Sequence, residues 1–129
     1  MFHVQLPMPP SINRAFRNVV GRGRVKTRDY RKWRDDAVKL IHAQVRADKR
    51  IGGNVAVTIS LSATMRGDAD NRIKAILDAL VDSGRIDDDR HVTTITVRKN
   101  APGKEALVWV DSDRVGVAAM AILNPRAAA

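Results

Sequence analysis

The sequence predicts an α/β fold: a single compact domain with the element order β-α-β-α-β-β and helices packed on a mixed, largely antiparallel sheet. Three observations predict it. Two segments carry apolar residues three or four apart, several others carry them in alternation, and helical and extended segments succeed one another along the chain. The length of 129 residues suits one domain, and an apolar fraction of 44% fills a core without staples.

Phe2, Val4 and Leu6 alternate with other residues and read as a strand, which Pro7, Pro9 and Pro10 stop. Residues 11–26 read as a loop, with Gly21 and Gly23 interleaved with Arg22 and Arg24. Thr27 suits a helix N-cap, with Asp29 well placed in the first turn. Tyr30, Trp33, Ala37, Leu40, Ile41 and Val45 then form the stripe of an amphipathic helix of about five turns. Gly52 and Gly53 end that segment. Val55, Val57, Ile59, Leu61 and Ala63 alternate as a strand.

A second helix is expected from about residues 68–70. Its stripe is Ile73, Ile76, Leu77, Leu80 and Val81, and Gly84 stands where a C-terminal cap belongs. After an acidic loop, Val92, Ile95 and Val97 suggest a strand, Pro102-Gly103 a turn and residues 106–110 a further strand, the last two forming a hairpin. Residues 114–123 suit a short helix. The domain is expected over 1–123, with 124–129 a flexible tail.

Composition narrows the function. There is no cysteine, which excludes disulfides, zinc–thiolate sites and cysteine nucleophiles and suits a cytoplasmic location. No signal peptide is evident at the N-terminus, and no run of about 18 apolar residues is present to span a membrane. The net charge of +9 is unevenly placed. Residues 1–50 hold 13 basic and 4 acidic side chains, whereas residues 51–129 hold 10 of each. Nine basic residues fall between Arg14 and Arg34, with only Asp29 against them. Such a segment favours a polyanionic partner. Arg14, Arg17, Arg22, Arg24, Lys26 and Arg28 are the candidates to contact nucleic-acid phosphates. His3, His42 and His91 lack zinc-ligand spacing.

The other half carries the carboxylates. Residues 65–92 contain seven aspartates. Asp68 and Asp70 stand at a strand-to-helix junction, Lys74 follows Asp70 by one helical turn, and Asp88-Asp89 follow the helix. If the acidic loop runs back along the sheet, three or four carboxylates converge. Converging carboxylates repel unless a cation neutralises them. Magnesium takes oxygen ligands and can clamp the oxygens of a phosphodiester, and a lysine beside it can stabilise charge on the phosphate. Singly, each feature has a plainer explanation: a helix cap, an i,i+4 ion pair between Asp70 and Lys74, a solvated loop. Together, opposite a polycationic segment, they favour metal-assisted chemistry on DNA.

Asp68-Ala69-Asp70-Asn71, Lys74, Leu77-Asp78-Ala79-Leu80, Gly84 and Asp88-Asp89-Arg90-His91-Val92 resemble the signature of the RusA family of Holliday junction resolvases. Pro9-Pro10-Ser11-Ile12-Asn13-Arg14 is similar to that family's opening, which adds Asn13 to the candidate DNA contacts. The similarity covers about residues 2–111. It departs from the family pattern at Gly67, where an arginine is common, and at Asp87, where an apolar residue is usual. The resemblance implies a homodimer that binds four-way DNA junctions and makes paired symmetric nicks with magnesium, one or two ions per site. It carries the catalytic and metal-binding carboxylates onto Asp68, Asp70 and Asp89, with Asp88 an alternative ligand, and the catalytic lysine onto Lys74. Two competing functions stand beside this one: a non-catalytic nucleic-acid-binding module, and another metal-dependent nuclease acting on flaps, linear duplex or RNA.

Overall fold

The computed structural model describes residues 1–11 and 16–114. The candidate residues Asn13 and Arg14, the helix expected over 114–123 (past its first residue) and the tail expected over 124–129 lie outside them.

Among the described residues there are six strands and two α-helices: β1 (Phe2–Pro7), β2 (Phe16–Val19), β3 (Gly23–Lys26), α1 (Arg28–Gln44), β4 (Val55–Ser62), α2 (Ile73–Asp82), β5 (Val92–Ala101) and β6 (Glu105–Ser112). The main sheet has the order β1-β6-β4-β5. β6 is antiparallel to both β1 and β4, and β4 is parallel to β5. The fold class is the expected one, two helices on a mixed and mostly antiparallel sheet.

The capping and periodicity that predict α1 are visible in it. The Thr27 hydroxyl accepts the Tyr30 N–H at 3.2 Å, which satisfies one of the donors left free at the helix start. Tyr30, Trp33, Ala37 and Ile41 are buried against the sheet, and Trp33 donates its indole N–H to Pro7 O at 3.1 Å. β4 is one of the two inner strands. Val55, Val57, Ile59 and Leu61 are at most 1% exposed and meet Phe2, Val4 and Leu6 of β1, Val108 and Val110 of β6, and Ile76 and Leu80 of α2 in one core. α2 ends at Gly84, whose φ of 75° is the left-handed conformation that a helix stop of this kind uses.

Three expectations are corrected. Residues 11–26 are not all loop: 16–19 and 23–26 pair as an antiparallel hairpin, β2–β3, with Phe16 opposite Lys26. Gly21 and Gly23 take φ values of 79° and 69° in its turn, which Arg22 N–H closes onto Val19 O at 3.0 Å. The second helix starts later than residues 68–70, because residues 69–72 form a tighter 3₁₀ turn before α2. β5 and β6 are not a paired hairpin. Residues 102–104 carry the chain past the end of β4, and β6 inserts between β1 and β4. The most apolar strand therefore gains a neighbour on each side, as a strand buried on its core face requires.

Asp113 closes the sheet's far end. It is 3% exposed, donates its N–H to Asn54 O at 3.0 Å, and accepts hydroxyl hydrogens from Thr93 and Thr94 at the start of β5, the latter at 2.7 Å. Two stability outcomes follow. Ile59→Ala empties the middle of the core and should cost about 2–5 kcal/mol in urea unfolding. Asp113→Ala strips the acceptor from two hydroxyls and should cost about 1–3 kcal/mol in the same experiment; an unchanged midpoint would show that this end of the sheet is held by other contacts.

Candidate active site and nucleic-acid interface

The candidate acidic residues all lie on the segment that connects β4 to β5. Parallel neighbours cannot be joined by a tight turn, so the chain leaves the end of β4, returns along the sheet as α2 and re-enters as β5. Asp68 and Asp70 stand at the entry to this crossover, Lys74 and Asp78 on its helix, and Asp87, Asp88 and Asp89 at its exit.

At the entry, Gly67 turns the chain with φ 90°, and its carbonyl accepts from Lys99 Nζ on β5 at 3.4 Å. Asp68 is extended and precedes the 3₁₀ turn, yet its carboxylate makes no capping hydrogen bond. Asp68 and Asp70 are both exposed, and among the described residues neither carboxylate carries a hydrogen bond or an ion pair. The capping explanation for this pair therefore does not hold. Arg72 fixes the turn from the other side by donating to Pro9 O.

Lys74 does not pair with Asp70. Its Nζ lies 3.6 Å from Asp78 Oδ1, one turn further along α2. Asp78 Oδ2 accepts the hydroxyl hydrogen of Tyr30, a residue of α1 that is 1% exposed. Burial, then the hydrogen bond and negative charge of Asp78, hold the Tyr30 phenol protonated far above its ordinary range.

At the exit, the three consecutive aspartates have three different surroundings. Asp87 pairs with Arg50 and accepts from Gly53 N–H at 3.4 Å. Asp88 caps the 3₁₀ turn of residues 89–91 by accepting Arg90 N–H at 3.1 Å, with Arg90 Nε 4.0 Å from its other oxygen. Asp89 is exposed, and its neighbours are Asp88, Asp78 and Lys74. The hydrogen bond it makes to Asp88 raises its pKa, the negative charges of Asp88 and Asp78 add to that, and Lys74 opposes them. Asp88 moves the opposite way, lowered by the hydrogen bond from the Arg90 N–H and then by its hydrogen bond with Asp89. The two adjacent carboxyls thus shift in opposite directions, as like charges in contact do.

The structure brings Lys74, Asp78, Asp88 and Asp89 together at one side of α2. It does not gather Asp68 and Asp70 tightly around Asp89: among the described residues, no three histidine, aspartate or glutamate side chains are close enough to enclose a metal ion. Exposed carboxylates gain nothing by approaching each other without a counter-charge. The donors Asp68, Asp70 and Asp89 themselves suit a hard divalent cation, since all are carboxylate oxygens on exposed residues. Reading the sequence overlooks Tyr30 and Asp78 as site residues, although Asp70, Lys74 and Asp78 recur every four residues and that spacing was the available signal.

The basic residues occupy the β2–β3 hairpin and the start of α1. Arg17, Arg22 and Arg28 are exposed. Lys26 sits at the end of β3 with its Nζ 5.4 Å from the centre of the Tyr30 ring, a cation–π contact. Arg24 lies in β3, with its side chain outside what is described. Arg34 is engaged with Asp82 at 3.4 Å across the two helices. Through Lys26 and Tyr30 the cationic hairpin adjoins the acidic centre. No helix among the described residues is long and apolar enough to cross a membrane.

Residues 7–111 match the family model described as "Endodeoxyribonuclease RusA". Over 102 residues the chain is 33% identical to a "Crossover junction endodeoxyribonuclease rusA" of Enterobacteria phage 82, an alignment that takes in 76% of this chain and 82% of the phage protein. The matched span contains the whole β4-to-β5 crossover and the hairpin, and the chain belongs to the RusA endodeoxyribonuclease family.

Proposed function

We propose that this protein resolves four-way DNA junctions by paired, symmetric, magnesium-dependent nicks, acting as a homodimer on DNA in the cytoplasm. The observation that carries the reading is the state of the acidic residues. Asp68, Asp70 and Asp89 are exposed carboxyls that, among the described residues, no hydrogen-bonded cation or cap engages, and they flank Lys74 on a crossover beside a cationic hairpin. Carboxylates without such partners repel DNA phosphates, so a DNA-binding surface that keeps them needs a cation between the two.

Asp68, Asp70 and Asp89 would hold the metal, with Asp88 beside Asp89 as an alternative ligand. Magnesium, when bound, supplies Lewis acidity at the scissile phosphate and lowers the pKa of water. The protein's own side chains do the rest. Lys74 offers a positive charge where negative charge grows on the phosphate. Arg17, Arg22, Lys26 and Arg28, with Asn13, Arg14 and Arg24, hold the DNA backbone, a set that positions the substrate without reading its sequence. Two such centres in a dimer provide one cut on each of two strands.

The test is cleavage of a synthetic four-way junction compared with a flap and a linear duplex, with magnesium and with chelator. The junction should be cut preferentially, and only with the metal. Asp70→Asn should bind the junction as wild type does and lose cleavage by on the order of 10²-fold or more. Full cleavage by that variant would refute the assignment, equal cutting of all three substrates would favour a general nuclease, and binding without cutting would favour a non-catalytic module. Arg17→Ala and Arg22→Ala should each reduce the slope of log K against log salt by about 0.9 on duplex arms; an unchanged slope would remove the hairpin from the interface.

A further inference from the structure

Asp78 is bound on both of its oxygens by partners from different elements. Oδ2 takes the Tyr30 hydroxyl hydrogen from α1, and Oδ1 faces Lys74 Nζ at 3.6 Å within α2. The pair is graded in exposure: the Asp78 side chain is 19% exposed and that of Lys74 51%. The carboxylate is thereby fixed in the helix–helix interface while the ammonium reaches open water. Lysine is a point charge on a flexible stem and cannot aim itself. Asp70 stands at the same four-residue spacing on the other side of Lys74 and does not hold it. A surface ion pair would need no buried phenol behind it, and apolar residues would join α1 to α2 at least as well as a desolvated Tyr–Asp contact.

We propose that Asp78 is a positioning residue that holds the Lys74 ammonium beside Asp89, and that Tyr30 locks Asp78 for that purpose. Lys26, over the Tyr30 ring, makes the DNA-contacting hairpin part of the same chain of contacts. The inference rests on the reading of Lys74 as the group that stabilises charge on the scissile phosphate.

Single-turnover cleavage and junction binding of Asp78→Asn, Tyr30→Phe, Lys74→Ala and the Asp78→Asn/Lys74→Ala double variant test it. Asn keeps an acceptor for Tyr30, and Phe keeps the ring, so if one variant fails to fold the other is read. Asp78→Asn should slow cleavage about 10–100-fold, the range for an outer partner of a catalytic group, with junction affinity unchanged. Tyr30→Phe should move the rate the same way by less. In the Lys74→Ala background, adding Asp78→Asn should change the rate by no more than about twofold. An undiminished Asp78 effect in that background, or wild-type cleavage by both Asp78→Asn and Tyr30→Phe, overturns the positioning role. Wild-type cleavage by Lys74→Ala overturns the underlying reading of the lysine, and the positioning role with it.

Discussion

The parallel pairing of β4 with β5 is the constraint on which the site depends. It requires the chain to run out from one end of the sheet and back to the other before β5 can begin. Everything acidic that matters is strung along that return path: two aspartates where it leaves the sheet, a lysine and an aspartate on its helix, and three aspartates where it re-enters. α2 is pinned from below by Ile76 and Leu80, both fully buried, so the polar residues on its other side are held at fixed heights above the sheet. The packing that builds the core also spaces the carboxylates.

Opposite charges are then set side by side without cancelling. The hairpin and the start of α1 carry arginines and lysines, and the crossover carries aspartates, yet among the described residues few ion pairs join the two. Lys26 meets Tyr30 through the face of a ring, and Tyr30 meets Asp78 through a hydroxyl. A neutral phenol between a cation and an anion keeps both charges available. Asp87 pairs with Arg50 and Asp82 with Arg34, whereas among the described residues Asp68 and Asp70 pair with no cation, a difference in surroundings that sets this pair apart from the plainly structural carboxylates.

Much of this is legible in the chain itself. The stripe from Tyr30 to Val45 with Thr27 ahead of it, and the alternation from Val55 to Leu61, name α1 and β4 because burial on one face leaves a period that survives in sequence. The β2–β3 hairpin leaves none: its strands are four residues long, rich in arginine and glycine, and stabilised by backbone pairing that any side chain allows. The place of β6 is equally silent, since the short link after β5 fits a hairpin as well as a step past the end of β4. Lys74 has an aspartate four residues before it and another four after. Only the position of Tyr30 on a distant helix decides between them. The proposed convergence of the entry and exit carboxylates leaves no trace in the sequence, because it would depend on a charge that the described residues do not supply.

That convergence is therefore the point to measure. Manganese, a paramagnetic stand-in for magnesium, broadens the amide signals of residues near its site. Titrated into ¹⁵N-labelled protein, it should broaden residues 68–70 and 88–89 together, at the same metal concentration, and leave the hairpin signals sharp. Broadening at one end of the crossover without the other, or at neither, would contradict a single metal centre spanning β4 and β5.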